Sequence, residues 1–194
     1  MQHLSRENLM GLEQYAGIRP TFRAEVMAHK RDRQVAIGPH ATLYFEDRLT
    51  MQYQVQEMLR IERVFEAEGI EDELAAYNPL IPDGNNWKAT FMVEIGDFEA
   101  RRVALMQMVG IENQVWVQVA GSERVYAIAD EDLERATEDK TSSVHFLRFE
   151  LTPAMVAAVK QGAAIGMGIE HEAYSHSVHA VPENVRRSLA ADLA

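Results

Sequence analysis

Short runs in which apolar and polar residues alternate recur through the second half of the chain, and they limit its fold more than any other feature. This period of two is typical of strands with one buried face. Helix signals lie between the runs, because Asp97 can cap a helix to about Met108, Thr152-Pro153 can open one that ends near Gln161, and Pro182 can begin a last one. The predicted strands are Trp87–Ile95, Val115–Ala120, Arg124–Ile128, Val144–Leu151 and Ala163–Glu170.

The first half of the chain is mainly helical by the same criteria. Gly17 is expected to end the first helix, and Pro20 fits the first turn of the second. Two short extended runs, Gln34–Ile37 and His40–Phe45, flank a Gly-Pro turn and predict a hairpin. The predicted helices are Glu7–Tyr15, Thr21–Lys30, Leu49–Glu68 and Glu71–Tyr77.

Together these elements predict one α+β domain over residues 1–194, with a mixed, largely antiparallel sheet in its second half. The helical N-terminal half is expected to pack on that sheet. A structured loop with two prolines, residues 77–84, separates a helical lobe of about 1–84 from a sheet-rich lobe of about 85–194. With 194 residues, 47% of them apolar, the chain is long enough to bury a substantial core.

The sequence contains no cysteine. That excludes disulfides, thiolate zinc sites, cysteine-ligated iron–sulfur clusters and a cysteine nucleophile. Any bound metal would need His, Asp or Glu ligands. The start of the chain lacks the apolar segment of a signal peptide, and no stretch reaches the length of a membrane span. We therefore expect a cytoplasmic protein that does not enter membranes.

The formal net charge is −11, which opposes binding to nucleic acid and to anionic membranes. Residues 1–40 are the exception, with six Lys or Arg against four Asp or Glu. Two interpretations fit this basic cluster: a solvated helix face paired with acidic neighbours, or a patch that binds phosphate or docks a partner. Its members are Arg19, Arg23, Lys30, Arg31 and Arg33.

One carboxylate in the longest predicted helix lies on the apolar face. Helical spacing places Met51, Met58, Ile61 and Phe65 in one arc, and Glu62 falls close to its centre. A carboxylate on such a face is costly unless it is paired, hydrogen-bonded or bound to a metal. Glu62 is therefore paired with an arginine, or near enough to the helix end to reach water, or a ligand or catalytic group.

Two histidines continue the apolar faces of predicted strands. His145 shares a face with Leu147 and Phe149, and His171 follows a strand whose Ile165 and Ile169 point the same way. The two histidines would lie opposite each other if their strands were antiparallel neighbours. They would lie at opposite ends of a parallel pair, which is the commoner arrangement for strand–helix–strand units.

Two further histidines are candidate metal ligands. His176 lies with His171 and His179 in a polar stretch, at spacings that match no zinc signature, and it belongs either to an exposed loop or to a loop that supplies ligands. His40 begins a strand, where it is either hydrogen-bonded at a tight turn or a ligand. Glycine motifs for dinucleotides and phosphates are missing, so we expect no nucleotide cofactor.

Segments spread over nearly the whole chain carry a family resemblance: Ile18-Arg19-Pro20, Arg23-x-x-Val26-x-x-His29-Lys30, Gly38-Pro39-His40, Tyr44-Phe45-Glu46-Asp47, Gln54–Glu62, Tyr77–Asp83 and Ser143–Phe149. They resemble an uncharacterised bacterial family, a domain of unknown function. Its members resemble proteins often encoded beside rubrerythrin-like proteins and iron–sulfur oxidoreductases, which implies a redox or oxidative-stress setting. The resemblance supplies no catalytic residues.

Three hypotheses about function follow. The first is a metal-binding protein with His and carboxylate ligands and iron or zinc as the metal. The second is a non-catalytic accessory protein that docks on an iron–sulfur oxidoreductase or a rubrerythrin-like protein. The third is an enzyme that binds a small acid through Arg148 and the histidines. A homodimer is compatible with each. The candidate metal ligands are His40, Glu62, His145, His171 and His176.

Overall fold

Helices and strands alternate along the computed structural model, which describes residues 2–137 and 139–194. The helices are α1 (Leu12–Arg31), α2 (Arg48–Glu62), α3 (Ala67–Tyr77), α4 (Phe98–Gln107), α5 (Pro153–Lys160) and α6 (Glu183–Ala190). The strands are β1 (Gln34–Ile37), β2 (Ala41–Phe45), β3 (Asn86–Val93), β4 (Val115–Val119), β5 (Arg124–Tyr126), β6 (Ile128–Ala129), β7 (Val144–Glu150), β8 (Ile165–His171) and β9 (Tyr174–Val178). Within the described chain, no helix is both long and apolar enough to cross a membrane.

The strands form two sheets, one of five strands in the order β1-β2-β3-β7-β6 and one of four in the order β5-β4-β8-β9. Neighbouring strands pair antiparallel in both sheets. The predicted α+β class is confirmed, with two antiparallel sheets. β1 and β2 come from the helical first half of the chain yet join β3, so the five-stranded sheet continues across the loop near residue 84.

The inner faces of both sheets bury one apolar core. Leu43, Trp87 and Phe149 enter it from the five-stranded sheet, and Val117 and Met167 enter it from the four-stranded sheet. Burial of a large apolar side chain stabilises a fold by about 1.5–3 kcal/mol. This core therefore holds the sheets together and leaves the outer face of the five-stranded sheet for other elements.

α1, α2 and α3 form a helical layer beside that outer face. A second apolar cluster holds the layer together, since Met51, Val55 and Leu59 of α2 join Leu74 of α3 and Ile81 of the following loop. The helical layer thus has its own apolar core, and its packing does not depend on close contact with the sheet along its whole length. This separation leaves room for the cavities described below.

α1 is one continuous helix, although Gly17 and Pro20 predict two. Both residues face solvent, where water can satisfy the Ala16 carbonyl that proline leaves without its usual N–H donor. Tyr15 and Val26, on either side of the proline, are buried. Packing of these two side chains outweighs the local cost of proline, and the prediction of two helices is wrong.

α2 is shorter than predicted. Arg63 adopts a left-handed conformation with φ of 57°, and the Val64 N–H donates to the Leu59 carbonyl at 2.9 Å. The helix thus ends in the manner of a glycine cap, but without glycine. Phe65 therefore lies beyond the helix. Both it and Ile61, in the last turn of α2, are exposed, although the spacing places them on the buried arc.

β9 occupies a polar stretch in which the sequence predicts no strand. It pairs with β8 along its whole length, from Met167 opposite Val178 to His171 opposite Tyr174. Tyr174 is buried, and its hydroxyl donates to the Ile37 carbonyl at 2.6 Å. One buried tyrosine therefore links the edge strand of the four-stranded sheet to β1 of the other sheet.

Candidate functional site

The two histidines that the sequence places on strand faces lie in different sheets. His145 of β7 is opposite Phe91, in the five-stranded sheet, whereas His171 of β8 is opposite Tyr174, in the four-stranded sheet. The strands are therefore neither parallel nor antiparallel neighbours. The Nε2 atom of His171 lies 3.0 Å from the Val109 carbonyl oxygen.

The other three predicted ligands have exposed side chains. Glu62 lies in the last turn of α2, where it reaches water. His176 packs edge-on against Tyr174, with ring centroids 4.6 Å apart. His40 follows the β1–β2 turn, and its backbone N–H donates to the Tyr174 hydroxyl at 3.0 Å.

Over residues 2–137 and 139–194, no group of three or more His, Asp or Glu side chains is arranged to hold a metal ion. The five predicted ligands are not brought together into one site. Binding of iron or zinc by these residues stays a prediction.

His145 belongs to a buried polar network. Its Nδ1 atom lies 2.5 Å from Asp130 Oδ2, and its Nε2 atom lies 2.8 Å from the Thr141 hydroxyl and 3.1 Å from the Ser142 carbonyl. The Thr141 hydroxyl in turn donates to Glu112 at 3.2 Å. Both ring nitrogens are thus occupied within the protein, and we assign this network a structural role.

A partly open cavity of about 490 Å³ lies between the helical layer and the outer face of the five-stranded sheet, and we call it the Glu46 cavity. Its volume lies within the usual range for small-molecule sites, about 300–1,000 Å³. Aliphatic, aromatic and charged side chains all contribute to its wall. The lining residues are Met27, Lys30, Arg31, Gln34, Tyr44, Glu46, Met51, Gln54, Tyr77, Leu80, Thr90, Met92, Val144 and Phe146.

Glu46 follows β2, and only 6% of this residue is exposed. Its Oε1 atom accepts a hydrogen bond from the Thr90 hydroxyl at 2.7 Å, whereas Oε2 has no partner among the groups that the structure describes. A buried polar atom without a partner costs about 1–3 kcal/mol, and more if it is charged. Such an atom in a cavity wall calls for an explanation, and a ligand that donates to it would supply one.

Arg33 fixes the backbone around Glu46. Its buried guanidinium donates to the carbonyls of Phe45 and Glu46, both at 3.0 Å, and to Asp192 at 2.6 Å. Asp47, the N-cap of α2, lies 3.4 Å from Arg33. These contacts hold the strand end and the helix start rigidly, and they set the position of the Glu46 side chain between them.

Asp47 and Asp192 both interact with Arg33, but their pKa values are shifted in opposite directions. Burial opposes the ionisation of Asp47, but Arg33, the Thr50 N–H and His29 outweigh it and lower its pKa. Burial raises the pKa of Asp192 to about 6, against the opposing effect of Arg33, and the charge of Asp47 adds to the rise. Asp47 is compensated more completely than Asp192, because the Thr50 N–H and His29 add to the effect of Arg33.

A second cavity, of about 770 Å³, lies along the same face of the sheet, and we call it the Arg148 cavity. Leu80 and Phe146 line both cavities, so these two side chains form part of the boundary between them. The other residues that line the Arg148 cavity are His3, Ala75, Ala76, Pro79, Asp83, Asn85, Asn86, Lys88, Glu131, Asp132, Leu147, Arg148 and Glu150.

Arg148 and Lys88, two cations that line the Arg148 cavity, are already paired with carboxylates of the protein. Arg148 binds both oxygens of Glu131, at 2.8 and 2.9 Å, and one oxygen of Glu150 at 2.5 Å. Lys88 lies 2.9 Å from Asp83. An acidic ligand at Arg148 would have to displace one of its carboxylates, so the predicted role of Arg148 in acid binding gains no support from this geometry.

The sequence indicates the polarity of Glu46 but not its burial. Glu46 shares the polar face of its strand with Thr42 and Tyr44, and such a face ordinarily points to water in an antiparallel sheet. Only the tertiary packing of the helical layer over this face turns Glu46 into a cavity residue. Thr90, its partner, is likewise on an outward position of β3.

The structure defines an α+β protein with two ligand-sized cavities between a helical layer and the polar face of an antiparallel sheet. The chain belongs to the DUF3501 family, described as a protein of unknown function, whose model matches residues 3–193. It is similar to a crystal structure of a novel protein of unknown function from Burkholderia pseudomallei K96243, with 49% identity, a TM-score of 0.94 and full coverage of both chains. No curated protein matches the chain. The resemblance to a domain of unknown function is confirmed, and the gene neighbourhood stays a prediction.

Proposed function

We propose that this protein binds a small organic molecule with a protonated amine, and that Glu46 receives the amine in the Glu46 cavity. The observation that carries the proposal is the buried, unpartnered Oε2 atom of Glu46, a residue that lines that cavity. A hydrogen bond between a carboxylate and an ammonium is worth about 1.5–3 kcal/mol. This bond would offset the cost of burying the carboxylate.

The rest of the wall describes the remainder of the ligand. Lys30 and Arg31, in the last turn of α1, bring positive charge to the same cavity and favour an acidic group beside the amine. Met27, Met51 and Met92 add flexible apolar surface that adapts to aliphatic groups. An α-amino acid combines these features, with its ammonium at Glu46 and its carboxylate toward the end of α1.

Entry of the ligand requires movement of side chains, because Oε2 of Glu46 is closed to bulk water. Gln54 and Tyr77, in the helical layer, form a weak contact of 3.5 Å in the cavity wall. Separation of these two side chains costs little and would widen the path to Glu46. We therefore expect binding to be slower than the diffusion limit.

Calorimetric titration with α-amino acids, each compared with its N-acetylated derivative, tests the proposal. Acetylation removes the positive charge of the amine, so the derivative should bind at least about tenfold more weakly. Glu46→Gln should remove the same difference, because a neutral amide cannot compensate an ammonium. Glu94→Gln is the matched control, since Glu94 is a nearby carboxylate that accepts from Tyr44 and does not line the cavity. Equal binding of free and acetylated ligands would sink the proposal.

An accessory role is our second proposal, and α4 is the observation that favours it. No residue of α4, whose whole length is described, is buried. Phe98, Val103 and Met106 of this helix are exposed, Phe98 to 65%. Clusters of exposed apolar side chains are typical of protein-binding surfaces. The partner expected from the family resemblance is a rubrerythrin-like protein or an iron–sulfur oxidoreductase.

Sedimentation of the protein with each candidate partner from the same genome tests this second proposal. A complex should form with the native chain and should be lost in the double variant Phe98→Ser, Met106→Ser. Leu133→Ser is the control, because Leu133 is exposed to a similar degree outside α4. Equal loss in the control, or the absence of a complex with the native chain, would count against docking through α4.

A further inference from the structure

Leu80 and Phe146 line both cavities, and we call the apolar boundary that they form between the cavities the neck. Leu80 ends the short 3-10 turn Asn78–Leu80 that follows α3, and Phe146 points outward from β7. Both side chains are half-buried and line both cavities. Both side chains offer apolar surface to an aliphatic chain. The Arg135 guanidinium lies over the Phe146 ring, 4.5 Å from its centroid, but its charge is already paired with Asp130 and Asp132.

The Arg148 cavity suits the far end of such a chain. Its carboxylates are already paired with Arg148, Lys88 and Arg135, so they do not require a charge from the ligand. Ala75, Ala76 and Pro79 give this cavity an apolar wall on the side of α3. Apolar surface of this kind gains free energy when a hydrocarbon chain covers it.

We infer that the ligand is an amphiphilic α-amino acid with a long aliphatic side chain. Its charged head occupies the Glu46 cavity, and its side chain passes between Leu80 and Phe146 into the Arg148 cavity. This inference rests on the proposed function, because it requires the head to bind at Glu46. It adds a chain-length preference that head binding alone does not imply.

A chain-length series tests the inference. Calorimetry with straight-chain α-amino acids from alanine to α-aminocapric acid should give affinities that rise about fourfold for each methylene that enters the neck and the Arg148 cavity. Ala76→Trp should abolish this rise for the long members and leave the affinity for alanine unchanged. Ala76 is exposed on α3, so the larger side chain can be accommodated without repacking of a core. Ala100→Trp, at an exposed position on α4, is the matched control and should leave the whole series unchanged.

The outcomes separate the two proposals. Affinity that depends on Glu46 but is independent of chain length would overturn the long-chain inference and leave the proposed function standing. A chain-length effect that survives Ala76→Trp would also overturn the inference, because the tail would then lie elsewhere. Failure of every member to bind would overturn both. A rise that Glu46→Gln lowers uniformly and Ala76→Trp removes only for long chains would support both.

Discussion

Trp116 lies across Gly168 on the outer face of the four-stranded sheet. The two residues are directly opposite each other on β4 and β8. The Arg124 guanidinium covers the other side of the indole, 4.1 Å from the ring centroid. The tryptophan is thereby buried on an outer face because a glycine lies below it and an arginine lies above it. Glycine is required for this close approach, because a side chain at that position would occupy the space of the indole.

Gly168→Ala should therefore destabilise the protein. A Cβ atom at this position would lie 2.6 Å from Trp116 Cε2, and the indole cannot retreat without displacing Arg124. Overpacking of this kind costs about 1–3 kcal/mol, which chemical denaturation can measure. Gly96→Ala is the control, because a Cβ there would meet nothing within 4 Å. Equal stability of the two variants would contradict this account of Trp116.

His145 and Glu46 illustrate what can be predicted about single residues. The alternation of β7 correctly predicts that His145 points inward, and the residue is fully buried. Thr141 lies just before β7, but Asp130 and Glu112 come from other segments with no local signal, so the role of His145 in an internal network could not be predicted. For Glu46 the burial itself could not be predicted. Its strand pattern indicates an exposed residue, and only the helical layer buries it.

Among the secondary-structure elements, α1 departs furthest from its intrinsic preferences. Its proline lies well inside the helix, where it removes one backbone hydrogen bond. The helix persists because tertiary contacts hold its N-terminal part. The Tyr15 hydroxyl donates to Glu57 of α2 at 2.8 Å, and Arg19 binds both oxygens of the same carboxylate at 2.7 and 2.8 Å.

Pro20→Ala should consequently stabilise the protein. The variant restores an N–H donor for the Ala16 carbonyl at an exposed position, and the penalty of proline inside a helix is about 3 kcal/mol. Because the native structure has already adapted to the proline, we expect a gain of about 1–3 kcal/mol in the free energy of unfolding. Gly17→Ala, one turn earlier, should give a smaller gain of about 0.5–1 kcal/mol. An unchanged or lower midpoint of thermal unfolding for Pro20→Ala would show that the proline is not strained.

Most individual elements could be predicted, whereas their arrangement could not. The strands of the second half follow from their alternation, and the caps Asp97 and Thr152 begin α4 and α5 as expected. No local signal shows that β7 and β8 belong to different sheets. The residue at which α2 ends could not be predicted either, because Arg63 adopts a left-handed conformation that is typical of glycine.

At the scale of the whole molecule, the C-terminal segment forms hydrogen bonds with residues from the first half of the chain. Arg33 precedes β1, and it donates to Asp192 beyond α6. The Trp87 indole N–H donates to the Leu189 carbonyl at 2.9 Å, and the Ala194 N–H donates to the Gly84 carbonyl at 2.8 Å. These long-range bonds make the β2–α2 junction, and so the position of Glu46, dependent on the C-terminus.

Asp192, which takes part in these C-terminal contacts, makes the stability of the protein depend on pH. Its pKa is raised to about 6 from an ordinary 3.8, so between these values the folded protein holds a proton that the unfolded chain releases. The resulting stabilisation is complete below pH 3.8 and is lost as pH rises through 6. A shift of this size corresponds to about 3 kcal/mol. Glu57, whose pKa Arg19 lowers to about 2, acts in the opposite direction and only as pH falls below 4.5.

Denaturant unfolding of the native chain and of Asp192→Asn, followed across the acidic range, isolates this contribution. The asparagine cannot titrate, so groups common to both proteins cancel in the difference between their free energies of unfolding. The native chain should lose about 2 kcal/mol of stability relative to Asp192→Asn between pH 4 and pH 7. A difference that stays constant would mean that Arg33 fully offsets the burial of Asp192, and this group would then add no pH dependence to stability.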